Sequence, residues 1–359
     1  MEYHRILVIR LSAMGDVIRT LPAVKALKKR YPLAHLSWLV EEPSEALLKG
    51  QPEIDEVIVL PRKRWTEGVK SPMRWVQTLG EIKRFAQNLK NREFEVALDF
   101  HGLLKSGLIS YFSGAPRRVG FHRPWSREGN LLFSNVRVSL PKEKLRKINR
   151  YEQNLALLKG IGLEVRDVPL GLSISPADRE YADSFFRNVG ASLRRPLIAI
   201  HPWTSSKTPY KRWLPERYAQ VADRFIAEMG ATVMFTWGPD ELNSVEAIRK
   251  KMNQASILGP KTESLTQLAE IFGRCDLYIG GDTGPMHIAS LMGTPVVALF
   301  GPTYPSVNAP IGPHRMVRKD VGCNPCREQS CEEVTCMRAI TADEVFDAAR
   351  DLLGAMGSK

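Results

Sequence analysis

The sequence lacks the marks of membrane-spanning and secreted chains. No stretch approaches the roughly 18 consecutive apolar residues that a transmembrane helix needs. The first residues run directly into a strand-like segment, 6–9, without the apolar core and cleavage site of a secretory signal. Short internal repeats and low-complexity segments are also absent, and the 43% hydrophobic and 25% charged content is typical of globular proteins. We therefore expect a cytosolic protein, and its 359 residues favour two domains.

Acidic residues are the minority among the charged ones. The sequence has 51 Lys and Arg against 39 Asp and Glu, which gives a net charge of +12. An excess of this size is typical of proteins with an anionic partner, such as nucleic acid, membrane headgroups or a phosphorylated substrate. A solvated basic surface without any partner gives the same composition, so charge alone leaves these alternatives open.

The pattern of secondary structure predicts two α/β domains. Short β-branched runs alternate with helical patterns, which indicates parallel sheets covered by helices. The alternation pauses near residues 170–196 and then restarts, so we place the domain junction near 172–196. The predicted strands are residues 6–9, 35–40, 57–60, 96–100, 197–200, 232–236 and 256–258, and the main predicted helices are 72–90, 176–190, 215–230, 241–252, 264–275 and 341–356. Ligands of such sheets bind beyond the carboxyl ends of the strands, so polar residues at those ends in both domains are candidates for one shared cleft.

No Gly-x-Gly-x-x-Gly follows the first strand, so a dinucleotide-binding fingerprint is not supported. The segment there is Arg10-Leu11-Ser12-Ala13-Met14-Gly15-Asp16, in which the glycine permits a tight turn. Since Pro22 is tolerated only in a first helical turn, we expect the following helix to begin after Asp16. Asp16 is then either a helix cap or a functional carboxylate.

The most informative segment is Gly281-Asp282-Thr283-Gly284-Pro285-Met286-His287, which follows the apolar run 277–279. An acid, a hydroxyl and a helix N-terminus meet there at the end of a strand, which is typical of an anion-binding site. Two further segments of the second domain have the same placement. His201-Pro202-Trp203-Thr204-Ser205-Ser206-Lys207, with Lys211 after it, suits a phosphate, and Glu241 is either a ribose contact or a helix-capping acid.

Cationic clusters follow the strands of the first domain. They comprise Arg62-Lys63-Arg64-Trp65, Lys105 within Asp99-Phe100-His101-Gly102-Leu103-Leu104-Lys105-Ser106, Arg117-Arg118, and Arg127. We expect each cluster to follow a strand end and to line the first domain's side of the cleft, with solvated surface charge as the alternative.

Four cysteines lie within fourteen residues near the end of the chain: Cys323, Cys326, Cys331 and Cys336. Their number fits a structural zinc or iron–sulfur site. The spacing matches no standard two-plus-two zinc knuckle, so a disulfide pair and reduced thiols remain open as well.

Together these residues resemble those of the bacterial lipopolysaccharide heptosyltransferases of glycosyltransferase family 9, which are inverting enzymes. The resemblance covers nearly the whole chain. Its most specific marks are Ser12-Ala13-Met14-Gly15-Asp16-Val17, Gly281-Asp282-Thr283-Gly284 with His287, and Phe300-Gly301-Pro302-Thr303. It implies the GT-B fold, in which two Rossmann-like, doubly wound α/β domains face a central cleft. The acceptor-binding domain is then 1–175, and the nucleotide-sugar-binding domain is 176–359.

The resemblance implies transfer of heptose from ADP-L-glycero-D-manno-heptose. Asp16 matches the general base that deprotonates the acceptor hydroxyl, and Lys211 matches the lysine that meets the donor diphosphate. Thr204 and Ser205 belong to the loop that holds phosphate oxygens, and Glu241 resembles the ribose contact.

For the opening of the next helix, the same resemblance implies that Asp282 hydrogen-bonds the heptose. Thr283 and Gly284 then present a hydroxyl and backbone amides to the diphosphate. His287 lies one turn further on, where orienting the loop and packing in the core are both open roles.

The implied acceptor is an anionic lipid A–Kdo compound in the inner leaflet, so the resemblance places the protein on the cytoplasmic face of the inner membrane. Basic residues match the positions that meet the acceptor's phosphates and carboxylates: Arg62, Lys63, Arg64, Lys105 and Arg127. No cofactor is required and no nucleic acid is expected, and the oligomeric state is left open.

Two sequence features favour different acceptors. Val40-Glu41-Glu42-Pro43 and Arg62-Lys63-Arg64-Trp65 resemble the first heptosyltransferase, which acts on Kdo. The cysteine segment is similar to members that act second, on an already heptosylated core. We therefore predict a heptosyltransferase I type of enzyme, with type II or another family member as the alternative. A basic binding module without catalysis is the alternative from a different class.

Overall fold

The computed structural model describes residues 2–166, 170–190, 193–206, 208–326 and 331–357. The chain divides into two compact units, Met1–Pro169 and Leu170–Lys359. Each unit is built around one six-stranded sheet in which every pairing is parallel. The predicted fold class, two doubly wound α/β domains, is thereby confirmed. In the described part of the chain, no helix is both long enough and apolar enough to cross a bilayer.

The first unit has the sheet order β3-β2-β1-β4-β5-β6. Its strands are β1 (Arg5–Ile9), β2 (His35–Glu41), β3 (Glu56–Leu60), β4 (Val96–Asp99), β5 (Arg117–Phe121) and β6 (Val136–Val138). Its helices are α1 (Met14–Ile18), α2 (Leu21–Arg30), α3 (Glu45–Leu48), α4 (Arg62–Lys70), α5 (Trp75–Lys90), α6 (Leu104–Phe112) and α7 (Arg150–Leu157). The chain leaves β1 toward β2 on one side and later returns to β4 on the other, so the sheet's topological switch point lies between β1 and β4.

The second unit has the sheet order β12-β11-β10-β7-β8-β9. Its strands are β7 (Leu197–His201), β8 (Thr232–Phe235), β9 (Ile257–Leu258), β10 (Leu277–Gly281), β11 (Val296–Leu299) and β12 (His314–Val317). Its helices are α8 (Pro176–Val189), α9 (Pro215–Met229), α10 (Leu242–Arg249), α11 (Leu265–Gly273), α12 (Gly284–Leu291), α13 (Pro305–Asn308), α14 (Thr335–Arg338) and α15 (Ala342–Gly357). The switch point here lies between β7 and β10, where Gly280 is in register with His201.

Aromatic packing holds the last helix against the core of the second unit. The ring of Phe346 on α15 stacks on that of Phe225 on α9, with centroids 5.2 Å apart. The Trp213 ring meets the Tyr218 ring edge-on at 4.8 Å, and its indole N–H donates to the Ile340 carbonyl at 3.0 Å. Buried aromatic side chains each remove a large apolar area from water, so this cluster stabilises the packing of α15 against the core of the second unit.

Two local predictions were wrong. Asp16 lies inside α1 rather than before it, because the first helical segment breaks after Ile18 and Pro22 sits in the first turn of a second helix. Arg117 and Arg118 do not follow a strand but begin β5. Their guanidinium groups donate to the carbonyls of Gly160 and Phe133, at 2.6 Å and 2.9 Å respectively, so they serve structure within the unit.

Candidate functional site

Asp16 is held by two arginines at the carboxyl end of β1. Arg10, the residue after the strand, forms an ion pair with its Oδ2, and the Arg19 Nη2 donates to Oδ1 at 2.6 Å. Arg10 also donates to the carbonyl of Phe100, which fixes the arginine across the switch point. Burial alone would raise the pKa of Asp16, but Arg10 and Arg19 outweigh it and hold that pKa well below its usual range. Asp16 is therefore a carboxylate throughout the physiological pH range.

A buried network orders the loop after β4. The Asp99 carboxylate, fully buried, accepts from the backbone N–H groups of His101 and Gly102, from the Ser106 hydroxyl at 2.8 Å and from the Asn130 amide at 2.6 Å. Burial raises the pKa of Asp99, although these four donors favour its charged form. Satisfied networks of this kind rigidify a loop. The loop that carries His101 and the start of α6, which carries Lys105, are thus preorganised.

His101 is the residue of this region that the predicted site omitted. Both of its ring nitrogens are buried and find no hydrogen-bond partner within the described residues. Burial, together with the positive charges of Arg10, Lys105 and Arg127, lowers the pKa of His101 to about 3. It is a neutral imidazole surrounded by cations, with one donor and one acceptor that no described residue uses. The only sequence signal was its place two residues after a strand end.

Glu41 brings two of the predicted acceptor cations together. At the end of β2, its carboxylate accepts from the Lys105 Nζ at 2.7 Å and from the Arg62 Nη1 at 3.3 Å. Glu41 itself is almost buried, whereas the Arg62 side chain is 56% exposed, so the guanidinium remains open to an anion. Arg62 and Lys105 follow different strands, which means that only the folded sheet makes them neighbours.

The other predicted cations are less constrained. Arg64 pairs with Glu81 on α5. Lys63 and Arg127 are exposed, and neither makes an ion pair with any residue that the structure describes. The Arg127 backbone N–H donates to the Gly102 carbonyl at 3.0 Å, which places this residue beside the His101 loop.

In the second unit, Arg212 organises the predicted phosphate loop after β7. Its guanidinium donates to the Thr204 hydroxyl at 3.2 Å and to the Thr204 carbonyl at 2.9 Å, and it lies over the Trp203 ring at 4.3 Å. The hydroxyl of Thr204 in turn donates to the Thr208 carbonyl at 2.8 Å, while Ser205 is exposed. Arg212 was not among the predicted site residues, because the loop to which it donates approaches it only in the folded chain. Lys207 lies outside the described residues.

Lys211 and Asp282 form an ion pair across the switch point. The Lys211 Nζ donates to the Asp282 Oδ2 at 2.9 Å, and the Asn308 side-chain amide at the end of α13 donates to the same oxygen at 3.0 Å. The pair is mostly buried, with 18% of the lysine and 8% of the aspartate side chain exposed. Charged groups removed from water in this way are held in fixed positions by their partners. Asn308 is a further residue that the sequence did not reveal.

The start of α12 presents its backbone amides beside this pair. Thr283 is the N-cap residue, and its hydroxyl donates to the Gly281 carbonyl at 3.3 Å. Gly284 is the first helical residue, so an anion there meets both unpaired amides and the positive end of the helix dipole. His287 is 2% exposed within the core face of α12, which favours packing over ligand contact.

Glu241 lies at the end of the β8 loop, immediately before α10. Its carboxylate accepts from the Gly238 N–H at 2.7 Å and lies 3.6 Å from the His201 Nε2. Burial raises the pKa of Glu241, whereas burial lowers that of His201 to about 4, so His201 is neutral at pH 7. The carboxylate retains acceptor capacity for a hydroxyl group.

None of the four clustered cysteines forms a disulfide bond within the part of the chain that the structure describes. Cys323 and Cys326 are exposed, Cys331 is half-buried and Cys336 is buried, and residues 327–330 between them lie outside the described ranges. Over residues 2–326 and 331–357, apart from the short gaps, no three His, Cys, Asp or Glu side chains are grouped to hold a metal ion. The zinc or iron–sulfur assignment stays a prediction. Elemental analysis of protein purified without chelators tests it.

The family model "Glycosyltransferase family 9 (heptosyltransferase)" matches residues 82–336 of this chain. The chain is 31% identical to the lipopolysaccharide core heptosyltransferase OpsX of Haemophilus influenzae, over 84% of this chain and 80% of that protein. It is 28% identical to lipopolysaccharide heptosyltransferase 1 of Pseudomonas aeruginosa, covering 91% and 87%, and 28% identical to lipopolysaccharide heptosyltransferase 2 of Escherichia coli K12, covering 92% of each.

Solved structures show the same fold. A family 9 glycosyl transferase from Veillonella parvula superposes with a TM-score of 0.76 at 25% identity, covering 99% of this chain and 98% of that one. The E. coli ADP-heptose lipopolysaccharide heptosyltransferase II superposes with a TM-score of 0.73 at 23% identity, covering 98% and 99%. The predicted GT-B class is confirmed by these likenesses.

Proposed function

Because the chain belongs to glycosyltransferase family 9, the heptosyltransferase family, we propose that it transfers heptose from ADP-L-glycero-D-manno-heptose to the Kdo of a lipopolysaccharide inner core. The observation that carries the proposal is the charge placed at the switch point of each sheet. One unit holds the Asp16 carboxylate between arginines, and the other holds the Lys211–Asp282 pair beside a helix N-terminus. Switch points are where doubly wound sheets bind ligands.

The second unit is the proposed donor site. Lys211 and the first amides of α12, at Thr283 and Gly284, supply positive charge for the diphosphate. Thr204 and Ser205 lie in the loop that would hold phosphate oxygens, and Glu241 accepts a hydrogen bond from the ribose. Asp282, held by Asn308, accepts from a heptose hydroxyl. The ADP-heptose named for the E. coli neighbour of the same fold supports this choice of donor.

The first unit supplies the proposed base. The acceptor hydroxyl oxygen forms a bond to the anomeric carbon of the heptose as the bond from that carbon to the diphosphate oxygen breaks. The hydroxyl proton passes to Asp16, and ADP leaves with the bonding electron pair. Lys211 stabilises the charge that develops on the leaving diphosphate. Because Arg10 and Arg19 hold the pKa of Asp16 low, it is always ready to accept but is a weak base, so proton transfer follows most of the C–O bond cleavage.

The acceptor side of the proposal rests on the basic residues of the first unit. We propose that five basic residues contact the carboxylates and phosphates of Kdo and lipid A. They are Arg62 and Lys105, which Glu41 brings together, and the exposed Lys63, Arg64 and Arg127. Glu41 belongs to the segment that resembles the type I enzyme, which favours Kdo as the acceptor. The equal identity to a type 1 and a type 2 relative keeps transfer to a heptosylated core as the second candidate.

We also propose that the protein works at the inner face of the inner membrane, where such an acceptor is anchored. No metal cofactor is proposed for the transfer, since Lys211 and the α12 N-terminus place positive charge where a leaving diphosphate needs it. Activity that survives dialysis against EDTA supports this part of the proposal, and activity restored only by added Mg²⁺ contradicts it.

The direct test is product mass. Purified protein is offered ADP-heptose with Kdo2-lipid A in one reaction and with the mono-heptosylated compound in another. Mass gain of one heptose on the first acceptor supports the type I function. Gain on the second acceptor alone assigns type II. No gain on either, with ADP-heptose intact, contradicts the proposed function, and salt-sensitive binding to duplex DNA would then favour a binding module.

A further inference from the structure

The connection between α4 and α5 exposes an unusual number of large apolar side chains. Met73 is 95% exposed and Val76 65%, and Val69, Trp75 and Leu79 are each about half exposed. We call these five residues the apolar segment. Single exposed apolar residues are ordinary on protein surfaces, but five within eleven residues mark an interaction surface.

The exposure of these side chains does not result from poor packing between α4 and α5, the helices that carry them. The two helices cross closely, since a Cβ added to Gly68 on α4 would lie 2.1 Å from the Thr78 hydroxyl on α5. The Trp65 ring of α4 meets the Phe85 ring of α5 edge-on, with centroids 5.2 Å apart. Both rings also pack against the core of the first sheet. The hairpin is therefore well packed, and the apolar segment lies outside this packing.

Topology places the apolar segment at the carboxyl edge of the first sheet. β3 and β4 are both parallel to β1, so α5 must run back toward the amino ends of the strands before β4 begins. At about 24 Å, a sixteen-residue helix is longer than these strands, so its first turn, at Trp75, lies at or beyond their carboxyl ends. That is the edge at which Arg62, Lys105 and Asp16 lie.

The helix α6 extends the same surface. Connections from β3 to β4 and from β4 to β5 both cross the sheet in one direction, so right-handed crossovers put α5 and α6 on the same face, where they pack together. Leu104 and Leu108, in the first half of α6, are 42% and 36% exposed. Leu104 is next to Lys105 in the chain, so an exposed apolar side chain and a basic one lie together at the start of α6.

The charge of the α4–α5 hairpin indicates which kind of partner binds the apolar segment. Residues 62–84 contain seven Lys and Arg against two Glu, and Lys70 and Arg74 are exposed within the apolar segment itself. An apolar protein partner, or a second copy of this basic surface, would leave those charges opposed or buried. An anionic bilayer accepts both components, because apolar and aromatic side chains enter the interface while Lys and Arg remain among the headgroups.

We propose that the apolar segment, with Lys70 and Arg74, docks this protein onto an anionic lipid bilayer and so presents the carboxyl edge of the first sheet to an acceptor anchored in it. The inference rests on the proposed function for its acceptor, but the docking itself does not need catalysis. The apolar segment is thus the surface through which the proposed enzyme associates with the membrane.

The test is flotation with vesicles of phosphatidylethanolamine and phosphatidylglycerol, using the full chain and the variant Met73→Ser/Trp75→Ser/Val76→Ser. We expect the triple variant to bind these vesicles at least about tenfold more weakly, because three interfacial side chains are removed. Wild-type binding should also weaken on phosphatidylcholine alone and in high salt. Leu33→Ser is the matched control, since Leu33 is 91% exposed at the amino-terminal edge of the same sheet, and it should float like the wild type.

A second readout separates docking from function. The triple variant should lose transfer to an acceptor embedded in vesicles while keeping transfer to a water-soluble, delipidated acceptor. Equal flotation of wild type and triple variant overturns the docking surface, as does a change in oligomeric state without a change in flotation. If the wild type floats and the triple variant does not, but the wild type transfers heptose to neither acceptor, the docking surface is supported and the proposed function is contradicted.

Discussion

At the scale of single residues, partners decide what each charged group can do. Asp16 and Asp99 lie on the same sheet edge, yet arginines lower the pKa of the first and burial raises that of the second. Asp16 therefore stays a carboxylate that accepts hydrogen bonds, whereas Asp99 serves to hold a loop. The sequence marked Asp16 through its glycine-containing turn, but the two arginines that set its pKa lie on either side of it and are recognised only once the turn is folded.

His101→Phe tests whether the unpartnered imidazole serves a ligand. A buried polar group without a partner costs about 1–3 kcal/mol, so the phenylalanine variant should unfold at the same or a higher temperature at pH 7. We expect the KM for acceptor to rise about tenfold, the worth of roughly one lost hydrogen bond, with the KM for ADP-heptose unchanged. Thermal melts and steady-state kinetics measure both. A lower melting temperature with an unchanged acceptor KM would mean that His101 is structural.

The same variant has a pH signature. The pKa of His101 is about 3 in the folded chain, below its ordinary value of 6.5, so between those values the unfolded chain binds a proton that the folded chain does not. Stability therefore rises with pH across this window and is lost as the pH falls, by up to about 1.4 kcal/mol per pH unit. His101→Phe should flatten this dependence without abolishing it, since His201 contributes likewise.

At the scale of elements, sequence patterns predicted what local chemistry dictates. The buried strands β1, β2, β7 and β10 and the helix α8 were predicted closely because their apolar runs and the Ser175-Pro176 start need no distant partner. Strands β5 and β12 were not, since β5 opens with two arginines and β12 with a histidine and an arginine. Their place depends on a neighbouring strand rather than on their own composition.

The contact between β10 and β7 gives a prediction at this scale. A Cβ added at Gly280 would lie 3.0 Å from the His201 carbonyl oxygen and 2.5 Å from the Tyr278 hydroxyl. Because the first of these is backbone, Gly280→Ala should force the two strands apart and cost about 1–3 kcal/mol of stability. It should also weaken ADP binding, since Lys211 and Asp282 follow these strands.

Gly354→Ala is the matched control for that substitution. This glycine lies in α15, with no atom within 4 Å of an added Cβ, so alanine there should stabilise the helix by about 0.5–1 kcal/mol. Urea denaturation and ADP calorimetry on both variants make the comparison. If Gly280→Ala were as stable as the wild type, the close packing at the switch point would be disproved.

At the scale of the whole molecule, the basic residues behind the net charge of +12 differ in their exposure to solvent. Four of the five cations proposed for the acceptor are solvent-exposed, with 56% of Arg62 and 67% of Arg64 accessible, whereas Lys211 in the proposed donor site is only 18% exposed. Charge of the first kind is screened by salt far more than charge of the second kind. The structure thus shows where the excess positive charge lies, which the composition alone could not show.

Ionic strength should separate the two substrates. Between about 50 and 500 mM KCl, the Debye length falls from roughly 14 to 4 Å, so the KM for an anionic soluble acceptor should rise several-fold. The KM for ADP-heptose should change less. Lys63→Glu, at an exposed position, should reduce the salt dependence of the acceptor KM, whereas Lys251→Glu on the second unit should not. Equal salt dependence for both substrates would show that the acceptor is not recognised through this surface.

The central claim of the proposed function is that Asp16 is the general base of heptose transfer. Its most direct test compares wild type with Asp16→Asn, measuring heptose transfer by product mass and ADP affinity by calorimetry on the same preparations. We predict that transfer falls by a factor of about 10² to 10⁴, the usual contribution of a general base, while the Kd for ADP stays within about twofold. Undiminished transfer by Asp16→Asn would contradict the account.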